Sequence, residues 1–380
     1  MRVRPNKKGS RPRTKETPAH REAEWGRVLT VDRGRYTVQL FSSTRPGTAR
    51  SRSRDSAAED SGEQEGLVTA VRATALRRRA IVPGDIVGLV GDTSGAAGSL
   101  ARMVRLQDRK TLLRRSAEDT DDSERVIVAN ADQLLIVVAA AEPEPRPGFI
   151  DRALVAAYDA GIEPLLLITK ADLAADTADP AGLVRHYAEL DLSTVVSARA
   201  GEGRGLESTA VAELHDLLEG HITALIGHSG VGKSTMVNAL TGSDRATSGV
   251  NAVTGRGRHT SSSAVAIPLG SGPGTSAEIG TAADPQGSWI IDTPGVRTFG
   301  LAHVAPDDVL EAFADLVEGS ADCEPGCAHA SPRGGCALDA WVEQGNAGSH
   351  GPARLASLRS LLASLLGSEE GPADKRLGDV

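Results

Sequence analysis

Aromatic side chains are scarce in this sequence of 380 residues, where they make up 3%. Because hydrophobic residues reach 40%, the chain can still bury a sizeable core, built mostly from Val, Leu, Ile and Ala. No apolar run approaches the roughly 18 residues of a membrane helix, and the longest, residues 134–141, is far too short. The basic N-terminus is not followed by an apolar segment, so we predict neither a secretory signal nor a membrane anchor.

Cysteine is also scarce, with three in the chain. Without an export signal a disulfide framework is not expected, and a metal site is the better interpretation. We therefore expect a cytoplasmic protein.

Negative charge is lacking at one end of an otherwise acidic chain. Residues 1–54 hold fifteen Lys/Arg and four Asp/Glu, a net of +11, which leaves −19 for the rest of a chain whose total is −8. This asymmetry indicates either contact with a polyanion at that end or a solvated basic tail, and charge alone does not separate the two.

Short strand-like segments dominate the N-terminal part. After a basic tail at 1–22, expected to be disordered, residues 24–41 read as a β-hairpin, and residues 42–66 as a disordered insertion. Strand-like runs then resume at 67–74, 86–90 and 100–106. We predict an all-β barrel over 23–115, plausibly an OB-fold, although composition does not distinguish it from an SH3-like barrel.

Buried strands alternate with helices after residue 132, which predicts a doubly wound α/β domain with a mainly parallel sheet over 116–302. Residues 271–287 read as an insertion in it. We expect a mainly helical, metal-binding domain at 303–367 and a tail at 368–380.

A phosphate-binding loop is indicated by Gly227-x-x-x-x-Gly232-Lys233-Ser234, which follows an apolar strand and opens a helix. In such a loop backbone N–H groups surround phosphate oxygens, Lys233 reaches the outer phosphates, and the Ser234 hydroxyl binds Mg²⁺. The alternative is a glycine-rich turn without a ligand. The predicted contacts are Gly227, His228, Ser229, Gly230, Val231, Gly232, Lys233, Ser234 and Thr235.

Two further segments complete the predicted nucleotide site. The Asp292-Thr293-Pro294-Gly295 stretch follows an apolar strand; Asp292 can hold the Mg²⁺ shell and the Gly295 N–H can sense the terminal phosphate. The Thr169-Lys170-Ala171-Asp172 stretch resembles a guanine-reading NKxD motif with Thr in place of Asn, although such a tetrapeptide alone is most often a helix start.

In that motif Asp172 would accept two hydrogen bonds from guanine, and Lys170 would lie against the ring. Adenine cannot supply this donor pair, which can give discrimination of ~10⁴ or more. Ser197 and Ala198, at the next strand end, would add a backbone contact to the base.

The order of these segments is unusual, because the guanine-reading motifs precede the P-loop. An ordinary GTPase has them the other way round, so the domain resembles a circularly permuted GTPase. The chain resembles the RsgA (YjeQ) family over about residues 24–365. Besides the motif order and the predicted barrel, the features that carry this resemblance are Asn130-Ala131-Asp132-Gln133, Asp151-Arg152, Gly257-Arg258-His259-Thr260 and a Cys/His tail. The resemblance implies an OB-fold, a permuted GTPase domain and a zinc domain. It also implies a role in late maturation of the small ribosomal subunit, and stimulation of GTP hydrolysis by that subunit.

Hydrolysis needs a group that orients the attacking water. Where Ras-like enzymes place Gln, this chain has Val296, which cannot form a hydrogen bond through its side chain. Our candidate is His259 in the first switch, as a neutral imidazole, with rRNA contact or packing as the alternative. Thr260 is expected to reach Mg²⁺ beside Ser234 and Asp292, although Ser261-Ser262-Ser263 follows it and the ligand is ambiguous.

A structural Zn²⁺ site is predicted from three cysteines and one histidine, a closed tetrahedral donor set. The loop between these residues has too little apolar material to fold unaided, so the metal should hold it. The alternatives are buried free thiols and a redox sensor. The predicted ligands are Cys323, Cys327, His329 and Cys336.

The motifs predict a GTP hydrolase, and the resemblance implies one that binds the small ribosomal subunit and its rRNA. We expect a monomer that is released on hydrolysis. Aromatic residues for stacking on RNA are few near the barrel (Tyr36 and Phe41), so we expect recognition of phosphate backbone through arginines. A second hypothesis is a GTP-gated RNA-binding checkpoint factor with incidental turnover; a P-loop kinase or ATPase is a third. The arginines considered are Arg72, Arg77, Arg78, Arg79, Arg102, Arg105, Arg354 and Arg359.

Overall fold

The structure, a computed structural model, describes most of the chain between residues 22 and 366. The described residues are 22–41, 66–118, 121–190, 192–199, 205–242, 264–270, 272–275, 287–293, 299, 301, 303–331 and 335–366. The tail and insertions predicted at 1–22, 42–66 and 271–287 lie largely outside these ranges, as do His259, Thr260, Gly295 and Val296. Among the described residues no helix is both long and apolar enough to cross a membrane.

Five N-terminal strands close into a barrel in the order β1-β2-β3-β5-β4, because β4 pairs back to β1. β3 and β5 are parallel, and the other pairs are antiparallel. Their inward side chains form a core separate from the rest of the protein. This five-stranded barrel confirms the OB-fold prediction. The strands are β1 (Glu24–Asp32), β2 (Arg35–Leu40), β3 (Leu67–Arg72), β4 (Ile86–Gly91) and β5 (Ala101–Leu106).

A parallel sheet forms the central domain, in the strand order β10-β9-β8-β11-β13. Alternate residues of its strands enter two different hydrophobic clusters, so both faces are covered, which explains why the strands read as continuous apolar runs. The strands are β8 (Gln133–Ala139), β9 (Glu163–Thr169), β10 (Ser193–Val196), β11 (Ile222–Ile226) and β13 (Trp289–Asp292). The helices are α1 (Pro147–Asp159), α2 (Leu183–Tyr187), α3 (Ser208–Leu218) and α4 (Lys233–Thr241). The α/β prediction is confirmed.

Three strands were not predicted. β6 (Leu112–Glu118) and β7 (Asp121–Ala129) form a separate hairpin, so the predicted domain boundary between residues 115 and 116 falls inside β6. β12 (Val265–Pro268) pairs antiparallel with β13 and also with β1 of the barrel. The barrel and the parallel sheet are therefore joined in one continuous sheet rather than linked by chain alone.

The junction of barrel and central sheet is built around a glycine turn. A Cβ on Gly84, whose φ is +90°, would lie 2.0 Å from the Ala129 carbonyl oxygen, so no other residue fits there. The Asn130 amide donates to the Gly84 carbonyl (3.1 Å). Nearby, the buried Arg27 guanidinium lies 5.8 Å from the centroid of the Trp289 ring, and burial lowers its pKa to about 10. Barrel strand β1 is thus packed against strand β13.

Four helices follow the sheet among the residues that the structure describes. The first two are short, and the long C-terminal helix packs on α1 of the central domain as well as on its own neighbours. They are α5 (Pro306–Leu310), α6 (Ala314–Val317), α7 (Ala337–Glu343) and α8 (Gly351–Leu366), with 3₁₀ turns at Thr74–Leu76, Ala171–Leu173, Pro180–Gly182, Ala188–Leu190 and Glu318–Asp322.

A buried carboxylate links α1 to α8. Asp151 of α1 accepts hydrogen bonds from the Tyr187 hydroxyl (2.9 Å) and from the Ser364 hydroxyl of α8 (2.9 Å). Burial raises the pKa of Asp151 above its ordinary value of 3.8, and the two hydrogen bonds oppose that rise.

This buried Asp151 should make stability depend on pH. Because its pKa is higher in the folded state, Asp151 contributes to the free energy of unfolding in full below pH 3.8. This contribution is lost as pH rises through the folded-state pKa. The free energy of unfolding of the wild type relative to Asp151→Asn should therefore fall with rising pH, by about 1.4 kcal/mol per unit of pKa elevation. Denaturant titrations across that window measure it. Ser364→Ala, which removes one hydrogen bond to the charged form, should steepen the fall; a pH-independent difference would contradict the prediction.

Candidate functional site

The loop between β11 and α4 has the geometry of a phosphate-binding loop. Gly227 (φ +152°) could not carry a Cβ, which would lie 2.3 Å from the Val137 carbonyl oxygen, and Gly232 (φ +99°) also has a backbone conformation that side chains disfavour. Ser229 and Gly230 are exposed, whereas Val231 is buried. The loop lies at the carboxyl end of a parallel strand, where α/β proteins bind ligands.

Lys233 begins helix α4, and its side chain lies back along the loop. Its ammonium group donates to the Gly227 carbonyl and lies 3.2 Å from the His228 carbonyl oxygen. Burial lowers the pKa of Lys233, and the negative charge of Asp292 opposes that shift. The structure therefore places a half-buried cation over the loop with an acidic group near it.

The predicted magnesium ligands within the described residues meet at this edge. Asp292 ends β13 in register with Leu225 of β11, and the Thr293 hydroxyl donates to the Leu225 carbonyl. Ser234 and Thr235 lie in the first turn of α4, where Ser234 is exposed. The third predicted ligand, Thr260, lies outside the described residues, as do the candidate His259 and Gly295.

The Thr169 hydroxyl connects the predicted guanine-reading segment to the predicted phosphate loop. Its oxygen lies 2.6 Å from the Val231 carbonyl oxygen and 3.1 Å from that of Val138, and the side chain is buried. Thr169 thus contacts the loop although it lacks the amide of Asn. Lys170 adopts a left-handed conformation (φ +57°) and donates to the Glu142 carbonyl.

Asp172 and the Ser197-Ala198 segment lie side by side. The Ala171 N–H donates to the Ser197 carbonyl (3.1 Å), which ties the two loops together. The Asp172 carboxylate accepts hydrogen bonds from the Arg199 backbone N–H (2.9 Å) and Nε (2.7 Å), and Arg199 Nη2 lies 2.7 Å from the same oxygen as Nε. Hydrogen bonding to Arg199 holds the pKa of Asp172 below its ordinary range. Sequence reasoning missed Arg199, although a cation directly after Ser197-Ala198 was a signal for it.

The four predicted zinc ligands come together in the C-terminal region, with all ligand atoms within 4.8 Å of one another. His329 Nδ1 lies 3.6 Å from Cys323 Sγ and 3.7 Å from Cys336 Sγ. A tetrahedral Zn²⁺ with ordinary bond lengths places sulfur and nitrogen ligands about 3.6 Å apart. The donor set of Cys323, Cys327, His329 and Cys336 therefore fits a structural zinc ion.

An acidic partner orients the histidine of this cluster. His329 Nε2 lies 3.0 Å from Asp307 Oδ1, which fixes Nδ1 as the atom facing the sulfurs. The Ala337 N–H donates to Cys323 Sγ (3.3 Å). Sequence reasoning missed Asp307, because 22 residues separate it from His329 and no local pattern joins them.

The arginines considered for RNA contact fall into two groups. On the barrel, Arg77, Arg78, Arg79, Arg102 and Arg105 are exposed and Arg72 is half-buried. In the C-terminal region Arg354 makes an ion pair with Asp315 (2.9 Å) and Arg359 one with Asp339 (2.7 Å), so both have structural partners.

The aromatic residues near the barrel differ from the expectation. Tyr36 is 3% exposed and belongs to the barrel core, so it is not available for stacking, whereas Phe41 is half-buried. Trp25, not considered from the sequence, is half-buried with the Arg105 guanidinium 5.2 Å from its ring centroid.

Comparison with known proteins gives concordant matches. The family model described as RsgA GTPase matches residues 106–302, just over half of the chain. A protein of Pseudomonas aeruginosa named small ribosomal subunit biogenesis GTPase RsgA is 37% identical over 244 residues, which cover 63% of this chain and 64% of that protein's length. A protein of the same name from Pseudomonas syringae pv. tomato is 36% identical over 290 residues, 75% of each chain.

Two solved structures share the fold. The crystal structure of YjeQ from Thermotoga maritima matches with a TM-score of 0.55 and 21% identity, over 91% of this chain and 99% of that one. The structure of YloQ, described as a circularly permuted GTPase, matches with a TM-score of 0.54 and 18% identity, over 93% and 99%. The permuted fold expected from the motif order is confirmed.

Proposed function

This chain belongs to the RsgA GTPase family, and we propose on that basis that it hydrolyses GTP during biogenesis of the small ribosomal subunit. The observation that carries the proposal is the buried Thr169 hydroxyl, 2.6 Å from the Val231 carbonyl oxygen. This contact joins a base-reading segment to a phosphate-binding loop, so one ligand with both a guanine and phosphates fits the pair.

Within this site we assign the steps as follows. Lys233 and the loop backbone bind the phosphates, and Ser234 with Asp292 holds the Mg²⁺ that accompanies GTP. Because the position of the Ras-like Gln is Val296, we assign the orientation of water to His259 and the third Mg²⁺ contact to Thr260. His259→Ala should then slow turnover while leaving GTP affinity unchanged.

The flanking modules are proposed to hold the protein on the subunit. Exposed arginines of the barrel would bind the phosphate backbone of rRNA, with strong dependence on salt. Helices α5 and α8, which flank the predicted zinc ligands in the chain, pack on α1, so the C-terminal region can respond to the GTPase domain. We propose the division into a barrel at 23–115, a GTPase domain at 116–302 and a zinc domain at 303–367. We further propose a cytoplasmic monomer that leaves the subunit after hydrolysis.

The proposal is tested by measuring GTP turnover with and without purified small ribosomal subunits. Stimulation by subunits is the expected result, and equal rates would contradict it. Co-sedimentation should retain the protein on the subunit with an unhydrolysable analogue and release it with GDP, the product of hydrolysis, and with GTP once it has been hydrolysed. If the analogue supports subunit maturation as well as GTP does, the protein is instead a GTP-gated checkpoint factor.

Asp172→Asn should change the preferred base. The amide replaces one carboxylate acceptor by a donor, which cannot pair with the N1–H and N2–H groups of guanine but suits the C2 carbonyl of xanthine. We expect GDP affinity to fall by on the order of a hundredfold or more, with xanthosine diphosphate preferred. Titration with both nucleotides measures this, and Asp176→Asn, in a nearby exposed loop, is the control. If Asp172→Asn still preferred GDP, the guanine base would not bind at Asp172.

A further inference from the structure

Three nitrogens of Arg199 lie against the carboxylate assigned to guanine recognition. Its backbone N–H reaches Asp172 Oδ1, and its side-chain Nε and Nη2 both reach Oδ2 at 2.7 Å. A bridge between Arg199 and Leu206 positions this part of the backbone, while the Arg199 side chain is 49% exposed and free to swing outward.

The edge of guanine that such a carboxylate reads is chemically a guanidine. The base offers its N1–H and the C2 amino group, two donors on one planar N–C–N unit, as the arginine side chain offers Nε–H and Nη2–H. Guanine and the Arg199 side chain therefore present similar planar donor pairs to the same carboxylate.

The occupancy of the two carboxylate oxygens shows that both cannot bind at once. Oδ2 accepts from Arg199 Nε and has Nη2 at the same distance of 2.7 Å, so the guanidinium covers this oxygen. Oδ1 accepts the Arg199 backbone N–H and keeps one of its two lone-pair sites. The two donors of guanine need one site on each oxygen, which requires the Arg199 side chain to leave Oδ2. A base with a single donor, hypoxanthine, needs only the open site on Oδ1, which fits with Arg199 in place.

We propose that Arg199 is a specificity-determining residue: its side chain competes with guanine for Asp172 and lowers the preference of the protein for guanine over bases that lack the C2 amino group. This inference rests on the proposed GTP binding and identifies Arg199 as a residue that weakens the binding of guanine. An exposed ion pair of this kind alters an equilibrium by about 1.5- to fivefold.

The test is calorimetric titration of wild type and Arg199→Ala with GDP and with inosine diphosphate, in the presence of Mg²⁺. The variant should bind GDP about 1.5- to fivefold more tightly, with little change for inosine diphosphate. Because the two ligands carry the same phosphates, any effect of the lost charge on phosphate binding would alter both equally. Arg199→Lys, whose ammonium does not offer a planar pair of nitrogens to Oδ2, should give an intermediate gain.

Arg185→Ala is the matched control, since Arg185 also forms an exposed ion pair on this domain, with Asp179 at 3.0 Å. It should leave both affinities unchanged. Equal gains for the two nucleotides, no gain, or weaker GDP binding in Arg199→Ala would overturn the proposal while leaving the GTPase assignment intact. Failure of the wild-type protein to prefer GDP over ADP would instead overturn the proposed function.

Discussion

Lys233→Ala should reduce GTP turnover by about a hundred- to a thousandfold, both with and without small ribosomal subunits. The ammonium is the cation of the phosphate loop, held half-buried by the Gly227 and His228 carbonyls. Charge develops on the transferred phosphoryl group and the leaving oxygen during hydrolysis, and a cation placed in advance stabilises it without reorganisation.

Burial lowers the pKa of Lys233, and the negative charge of Asp292 opposes that shift. Turnover at saturating GTP, followed by phosphate release, measures the effect, and a thermal melt shows whether the variant folds. Lys110→Ala, which removes an exposed lysine outside the site, is the control and should keep basal turnover. Loss of less than about tenfold in Lys233→Ala would mean that another group carries the phosphate charge.

Cys336→Ser should weaken zinc binding by about a hundred- to a thousandfold and unfold the segment that carries the other ligands. Apparent zinc affinities in small sites correspond to about 10–16 kcal/mol, and four ligands share this free energy. Cys336 is buried, so its replacement by serine also removes the apolar contacts of the sulfur atom. The 3₁₀ turn at Glu318–Asp322 leads directly to Cys323, and should lose amide protection together with the loop.

Metal content by elemental analysis and hydrogen exchange over residues 303–366 measure these outcomes. Asp307→Asn should have a smaller effect, about ten- to a hundredfold, because it orients His329 without contacting the metal. His350→Ala alters an exposed histidine of the same region and should retain one zinc ion per chain. Retention of full zinc content by Cys336→Ser would contradict the four-ligand assignment.

The GTPase motifs could be read from the sequence because each constrains its own backbone locally. Gly227 and Gly232 stand where a side chain would clash or strain the chain, and such constraints leave fixed residues at fixed spacings. The same applies to the Cys/His cluster, whose ligands follow one another within 14 residues. The strands of the central sheet were predictable because burial on both faces leaves continuous apolar runs.

Contacts between segments that are distant in the chain have no such local sequence pattern. Strand β12 is four residues long, and its role in joining β13 to the barrel depends on the pairing of Val265 with Thr30. The contact of α8 with α1 depends on Asp151 and Ser364, which are 213 positions apart. The apolar residues of helix α8 indicate that it packs on something, but they do not indicate that α1 is one of its partners.

The sequence by itself determined the family and the candidate residues for the nucleotide and the zinc ion, because these depend on residue types at short spacing. Tertiary structure alone decided that the Thr169 hydroxyl contacts the Val231 carbonyl of the predicted phosphate loop, and that Arg199 bonds Asp172. It also decided that barrel and GTPase domain share one sheet. These features arise from side chains and strands brought together by folding, and their geometry is set by packing that no local pattern records.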